Sequence, residues 1–135
     1  MVGRRETLAA IGTGLVGSFA GCSLEPSFPD ADVIAGPDSN AVFDPTELTV
    51  TTGETVSWGF ASAGHNVSCR PEDSGAVALP DGAEPFASYG PEESPDGSLV
   101  PRGEIYEQTF DVAGKYVYVC IPHVYRGMVG TIRVE

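Results

Sequence analysis

From Ala41 onward the apolar residues of this chain recur at every second position, in short runs cut by glycine and proline. That period belongs to half-buried strands and leaves no room for a helical bundle. Glu47-Leu48-Thr49-Val50-Thr51 alternates, Thr52-Gly53-Glu54 turns, and Thr55 to Phe60 alternates again with Val56, Trp58 and Phe60 on one face. Glu104 to Phe110 is a further strand, and Asp111-Val112-Ala113-Gly114 turns the chain. Lys115 to Cys120 then places Tyr116, Tyr118 and Cys120 on one face and Val117 and Val119 on the other. Met128 to Glu135 reads as the last strand. The 17 glycines and 11 prolines supply the turns, as such residues do between strands. Short strands separated by turn signals predict an all-β antiparallel sandwich or barrel.

Cys69 to Gly103 interrupts this rhythm with six prolines and five glycines in 35 residues. So long an irregular stretch in a compact domain is as a rule functional or mobile. Ala76-Val77-Ala78-Leu79 is a candidate short strand inside it.

The N-terminus has another character. Arg4 and Arg5 precede an uncharged run of 14 residues, Leu8 to Gly21, shorter than the roughly 20 apolar residues of a membrane-spanning helix. The pattern fits a secretory leader, and the arginine pair suggests twin-arginine export. Phe19-Ala20-Gly21-Cys22 has the form of a lipobox, in which cleavage leaves Cys22 at the new N-terminus to carry a lipid. Residues 1–21 are therefore predicted to be a signal peptide, 22–40 the lipidated cysteine and a flexible tether, and 41–135 the folded domain. A flexible segment the length of Ser23 to Asn40 spans roughly 20–25 Å, enough to hold a domain at a membrane and let it turn.

Nineteen acidic residues against seven basic ones give a formal net charge of −12. Cleavage before Cys22 would remove Arg4, Arg5 and Glu6 and leave 5 cations against 18 anions, or −13. Such a balance excludes nucleic acid as a partner, because phosphate binding needs clustered lysine and arginine.

The residues with chemistry lie in two segments. Cys120, His123 and Met128 share one short loop between strands, spaced Cys-x2-His-x4-Met, and His65 stands in Gly64-His65-Asn66-Val67. Cys120 ends a strand, Pro122 stiffens the return to His123, and Gly127 lets the chain bend toward Met128 before the last strand. Two imidazoles, a thiolate and a thioether form a soft-to-intermediate donor set that suits copper as both Cu(I) and Cu(II). A trigonal His2Cys group with a weak axial methionine is blue-copper geometry. Other readings of these residues stand beside it. A lone His, Cys or Met is more often core filling than ligand. A Cys120–His123 nucleophile pair lacks an evident orienting residue and oxyanion hole. Zinc accepts Cys and His, but closed zinc sites prefer more thiolates. Three cysteines cannot all pair within the chain; Cys22 is assigned to lipid, Cys120 to metal, and Cys69 has no assigned role.

His65-Asn66-Val67 followed by Cys120-Ile121-Pro122-His123 and Gly127-Met128-Val129-Gly130 resembles the plastocyanin family of small blue copper proteins. The acidic, exported, lipobox-bearing form resembles the halocyanins of halophilic archaea. The resemblance covers roughly Val42 to Glu135 and implies a cupredoxin Greek-key sandwich of about eight strands. It implies one copper ion held by His65, Cys120, His123 and Met128, and one-electron transfer without enzymatic chemistry. It implies that Asn66 links the two ligand loops by hydrogen bonds and that His123 shows its ring edge at the surface. Plant members carry a tyrosine before the cysteine ligand as a remote electron port; Val119 stands here. The expected protein is a monomer on the outer face of the membrane, tethered through Cys22 and serving respiratory redox proteins. A copper carrier without a redox partner and a metal-free surface module are the competing readings. The acids are spread with no run longer than two, which fits a surface solvated in high salt. At molar salt the screening length is about 3 Å, so partners are expected to dock by apolar contact around Gly64, Phe86, Pro122 and Val124.

Overall fold

The computed structural model describes residues 26–135. The leader, the lipobox and Cys22 lie outside the described residues. Among the described residues there are nine short strands: β1 Val33–Ala35, β2 Phe43–Asp44, β3 Glu47–Val50, β4 Thr55–Phe60, β5 Ser68–Cys69, β6 Phe86–Ala87, β7 Ile105–Thr109, β8 Gly114–Val119 and β9 Val129–Val134. They form a four-stranded sheet in the order β2-β1-β4-β7 and a five-stranded sheet in the order β3-β9-β8-β5-β6. The result is an all-β sandwich, with two parallel pairings, β1 with β4 and β3 with β9, inside an otherwise antiparallel scheme. No helix among the described residues is long and apolar enough to cross a membrane.

The two sheets close over an aromatic core. Val56, Trp58 and Phe60 from β4 and Tyr116, Tyr118 and Cys120 from β8 and its end are buried as their alternation requires. Trp58 and Tyr118 meet edge to face with ring centroids 5.3 Å apart, and Phe43 meets Tyr118 at 4.7 Å. Fully burying a large apolar side chain contributes about 1.5–3 kcal/mol, so this cluster dominates the stability of the domain. Gly130 is required by it: a Cβ there would stand 2.3 Å from the Tyr118 ring.

Two expectations are corrected by the structure. The segment read as a tether is folded from residue 28 onward, so the domain begins well before Ala41. Val33 and Ala35 are fully buried and run beside Trp58 and Phe60 in parallel register. The ring of Phe28 covers Gly59, and the Asp32 carboxylate accepts the Ser57 amide at 3.0 Å. This is why both faces of β4 are buried. A three-residue strand is too short to show a period, and its neighbours Pro29, Gly36 and Pro37 look like linker. The candidate strand at Ala76–Leu79 reduces to one bridge, Ala78 with Val117.

The irregular stretch from Arg70 to Gly103 is strapped to the sandwich at several points. Val67 and Ser88 exchange backbone and hydroxyl hydrogen bonds, β6 pairs with β5, and His65 bridges to Val100. Phe86 is buried against Phe110 and Tyr116, so it is a core residue and no part of a docking surface.

Candidate metal centre

The centre lies at one end of the sandwich, where the chain between β8 and β9 meets the chain leaving β4. Cys120 continues β8, so the ladder sets its position; its amide donates to the Met128 carbonyl at 3.1 Å. Ile121–Arg126 forms a single 3-10 helix with Pro122 in its first turn. Its first hydrogen bond runs from the His123 amide to the Cys120 carbonyl at 3.1 Å, which folds His123 back over the sulfur. Gly127, at φ 88, ends the helix in the left-handed region and turns the chain into β9. Met128 follows fully buried, its amide donating to the His123 carbonyl at 3.3 Å.

His65 arrives from the other sheet and is 3% exposed. Its Nδ1 stands 3.8 Å from Cys120 Sγ, and His123 Nδ1 stands 3.5 Å from the same sulfur. The two imidazole centroids are 4.9 Å apart. One donor atom from each of His65, Cys120 and His123 lies within 4.8 Å of the others. Donors each about 2.0–2.3 Å from one ion lie at comparable mutual distances, so the group fits a bound cation.

Asn66, fully buried, fastens the two segments together. Its Oδ1 accepts the Ile121 amide at 2.9 Å, and its Nδ2 donates to the Pro95 and Ser98 carbonyls at 2.8 and 3.1 Å. The link that the resemblance implied is therefore present, and it also pins the long irregular stretch to the centre.

The electrostatics agree with a soft cation. Burial, helped by the neighbouring His123, lowers the pKa of His65, which favours the neutral ring. Burial raises the Cys120 thiol, partly offset by the backbone amides of Asn66 and His123. A buried thiol of raised pKa is a poor nucleophile on its own, and the Asn66 side chain is used up on the backbone. Among the described residues no carboxylate joins the group. Sulfur and imidazole donors without carboxylate suit copper far better than a hard cation.

Of the residues the sequence named, the structure brings the donor atoms of His65, Cys120 and His123 together, ties Asn66 to the ligand loop, and places Pro122 in the 3-10 helix and Met128 buried at its end. Sequence reasoning missed Ser62 and Gly36. Ser62 Oγ lies 3.0 Å from His65 Nε2, and Gly36 reaches the same spot from the supposed tether. No spacing in the sequence links residue 36 to residue 65; only the parallel pairing of β1 with β4 does.

An all-β sandwich of this topology with two imidazoles, a thiol and a thioether gathered at one end defines a small blue copper protein of the cupredoxin kind. The sequence model for copper binding proteins, plastocyanin/azurin family, matches residues 31–135, and this chain belongs to that family. It is 39% identical over 108 residues to a plastocyanin of Scenedesmus fuscus, covering 78% of this chain and 100% of that one. It is 35% identical over 106 residues to a halocyanin of Natronomonas pharaonis, covering 76% of this chain and 55% of that one. Among solved structures it is similar to the pseudoazurin of Methylobacterium extorquens AM1, with a TM-score of 0.54 at 27% identity, over 76% of this chain and 72% of that one. The protein is a blue copper electron-transfer protein whose cofactor is one copper ion.

Proposed function

We propose that this protein carries single electrons between respiratory redox partners outside the cell, held at the membrane by a lipid on Cys22 and acting as a monomer. The observation that carries the reading is the buried thiol of Cys120 enclosed by two imidazoles within 4.8 Å. His65, Cys120 and His123 would hold the copper ion, with the Met128 thioether as a further, weaker donor. Copper bound there supplies a Cu(II)/Cu(I) couple. The chain supplies rigidity: Cys120 is fixed by β8, His123 by its 3-10 helix, and the two loops by Asn66. A frame so constrained changes little between redox states, which keeps reorganisation small. We read the protein as a carrier: the polar side chains beside the donor group, Asn66 and Ser62, are engaged in hydrogen bonds that hold the frame.

Partner access fits the same end of the molecule. His123, Pro122 and Val124 are half-buried, and Tyr125 is 80% exposed. Val42 and Leu99, also exposed, sit on neighbouring loops tied to the centre through Gly36 and Val100. Between Asp111 and Glu135 the chain has no acidic residue. A chain of net charge −12 thus presents an apolar collar free of carboxylates on its ligand loop. This supports docking by apolar contact, with Phe86 removed from the expected set.

The deciding experiment is an absorption spectrum of the oxidised, copper-loaded protein. An intense blue band is expected, and Cys120→Ser should abolish it. A Cys120→Ser protein that remained blue would sink the reading. Detergent partitioning and mass spectrometry of the native protein test the anchor: Cys22→Ala should release it from membranes.

A further inference from the structure

Ser62 is buried in the short connection between β4 and His65. Its hydroxyl contacts two groups: the Gly36 carbonyl at 2.8 Å and His65 Nε2 at 3.0 Å. A serine hydroxyl has one proton, and a carbonyl oxygen can only accept. The proton of Ser62 therefore goes to Gly36, and toward His65 the hydroxyl oxygen accepts. His65 Nε2 must then carry the proton of the neutral ring. Its Nδ1, 3.8 Å from Cys120 Sγ, is left with a free lone pair directed into the donor group.

The carbonyl that starts this relay is held firmly. The register of β1 on β4 ends at Ala35 opposite Phe60, and the Ala61 amide donates to the Ala35 carbonyl at 2.9 Å. The Gly36 amide donates to the Val42 carbonyl at 3.0 Å. Gly36 itself is at φ 74, and a Cβ there would come within 2.2 Å of Ser62 Oγ and 2.5 Å of His65 Nε2. The relay leaves room for glycine alone.

We propose that Ser62 is a positioning residue of the copper centre: with the Gly36 carbonyl it fixes His65 as the Nε2–H tautomer and aims Nδ1 at the metal. The proposal rests on His65 being a ligand, as read above. It makes the segment before Ala41 a working part of the site. Groups that orient a metal-bound imidazole typically alter metal affinity 10- to 100-fold when removed.

The test uses the full chain loaded with Cu(I), as wild type, Ser62→Ala, Ser62→Thr and Gly36→Ala. Imidazole 15N NMR reads the tautomer and the solvent exchange of the His65 Nε2 proton. Competition with a Cu(I) chelator reads affinity. The wild-type Nε2 proton should be visible and slow to exchange. Ser62→Ala should expose it to fast exchange and weaken Cu(I) binding by about 10- to 100-fold. Ser62→Thr, which keeps the hydroxyl, should restore most of both, and Gly36→Ala should behave like Ser62→Ala. A wild-type Nε2 proton exchanging as fast as that of a free imidazole would overturn the proposal, and this measurement stands even if Ser62→Ala does not fold. So would Ser62→Ala with wild-type affinity and a protected proton. A wild type that binds no copper sinks both this proposal and the ligand reading; a blue wild type with an indifferent Ser62→Ala sinks this one alone.

Discussion

His65 and His123 present the same side chain to the same sulfur, and the fold treats them in opposite ways. His65 is 3% exposed, with Nδ1 toward Cys120 and Nε2 on Ser62. His123 is half-buried on a 3-10 helix, and among the described residues its Nδ1 alone has a polar contact, with Cys120. One imidazole is anchored from both sides; the other is held by its backbone and leaves an edge toward the outside. A centre that must keep its geometry and still be reached needs both kinds of ligand.

The comparison breaks most decisively by removing each ring. His65→Gly and His123→Gly should both lose the blue band. Added imidazole should restore colour to His123→Gly, whose gap opens to solvent, and not to His65→Gly, whose gap is sealed. Equal rescue of both, read by absorbance, would mean that the burial difference is unimportant.

Two glycines sharpen it next. Gly36 and Gly64 both lie in the left-handed region, at φ 74 and 92, so alanine costs about 1–2 kcal/mol of backbone strain at either. At Gly64 the nearest atom to a Cβ is His123 Cε1 at 3.9 Å, an ordinary contact, whereas at Gly36 the Cβ collides with Ser62 and His65. Overpacking adds about 1–3 kcal/mol. Urea unfolding of the metal-free protein should therefore show Gly36→Ala losing more stability than Gly64→Ala; equal losses would show that the anchored side yields freely.

The two buried thiols repeat the contrast with sulfur. Cys120 sits among imidazoles; Cys69 lies against the carbonyls of Ala78 and Val117, and burial pushes its pKa up to about 12 from 9.0. A thiol raised on folding keeps its proton in the native state while the unfolded chain loses it. Its stabilising contribution is full below pH 9 and is lost as pH rises through 12, at about 1.4 kcal/mol per pH unit. Cys69→Ala should flatten that slope in copper-loaded protein and reduce it in metal-free protein, where burial also raises the Cys120 thiol. A slope that survives the substitution would assign it to other groups, such as Tyr89, which burial and its hydrogen bond to Asp73 also raise to about 12.

The smallest effect on stability and the most telling for docking is expected at the open side. Tyr125→Ala should leave stability within about 0.5 kcal/mol and leave the reduction potential unchanged. It should slow electron exchange between oxidised and reduced copies, read from NMR line widths. Val124→Glu should slow exchange even at molar salt, where charge is screened within about 3 Å. Unchanged rates in both would place docking elsewhere.

The sequence disclosed the open side better than the anchored one. Cys120, His123 and Met128 fall within one loop, so their spacing is a local property, and the alternation of β4 and β8 is visible because those strands are long enough to show a period. Ser62 and Gly36 meet only through the parallel pairing of Val33–Ala35 with Trp58–Phe60, and such a contact leaves no mark on either segment alone. Phe86 failed as a surface residue for a related reason. A two-residue strand in a proline-rich stretch gives no hint that it closes the aromatic core. Asn66 was found through the resemblance, and its two added bonds to Pro95 and Ser98 explain why the irregular stretch stays close to the centre.

The parallel pairing of β3 with β9 carries a consequence for biosynthesis. Glu47 finds its partner Thr131, and Val50 finds Val134, only across almost the whole domain, on a strand that follows every candidate ligand. A ribosome delivers this chain from its N-terminus, so β3 waits unpaired until β9 has left the exit tunnel. The nascent chain can display His65 long before it can enclose an ion. The frame that holds the ligand loop is therefore complete only once the last strand is in place between β3 and β8.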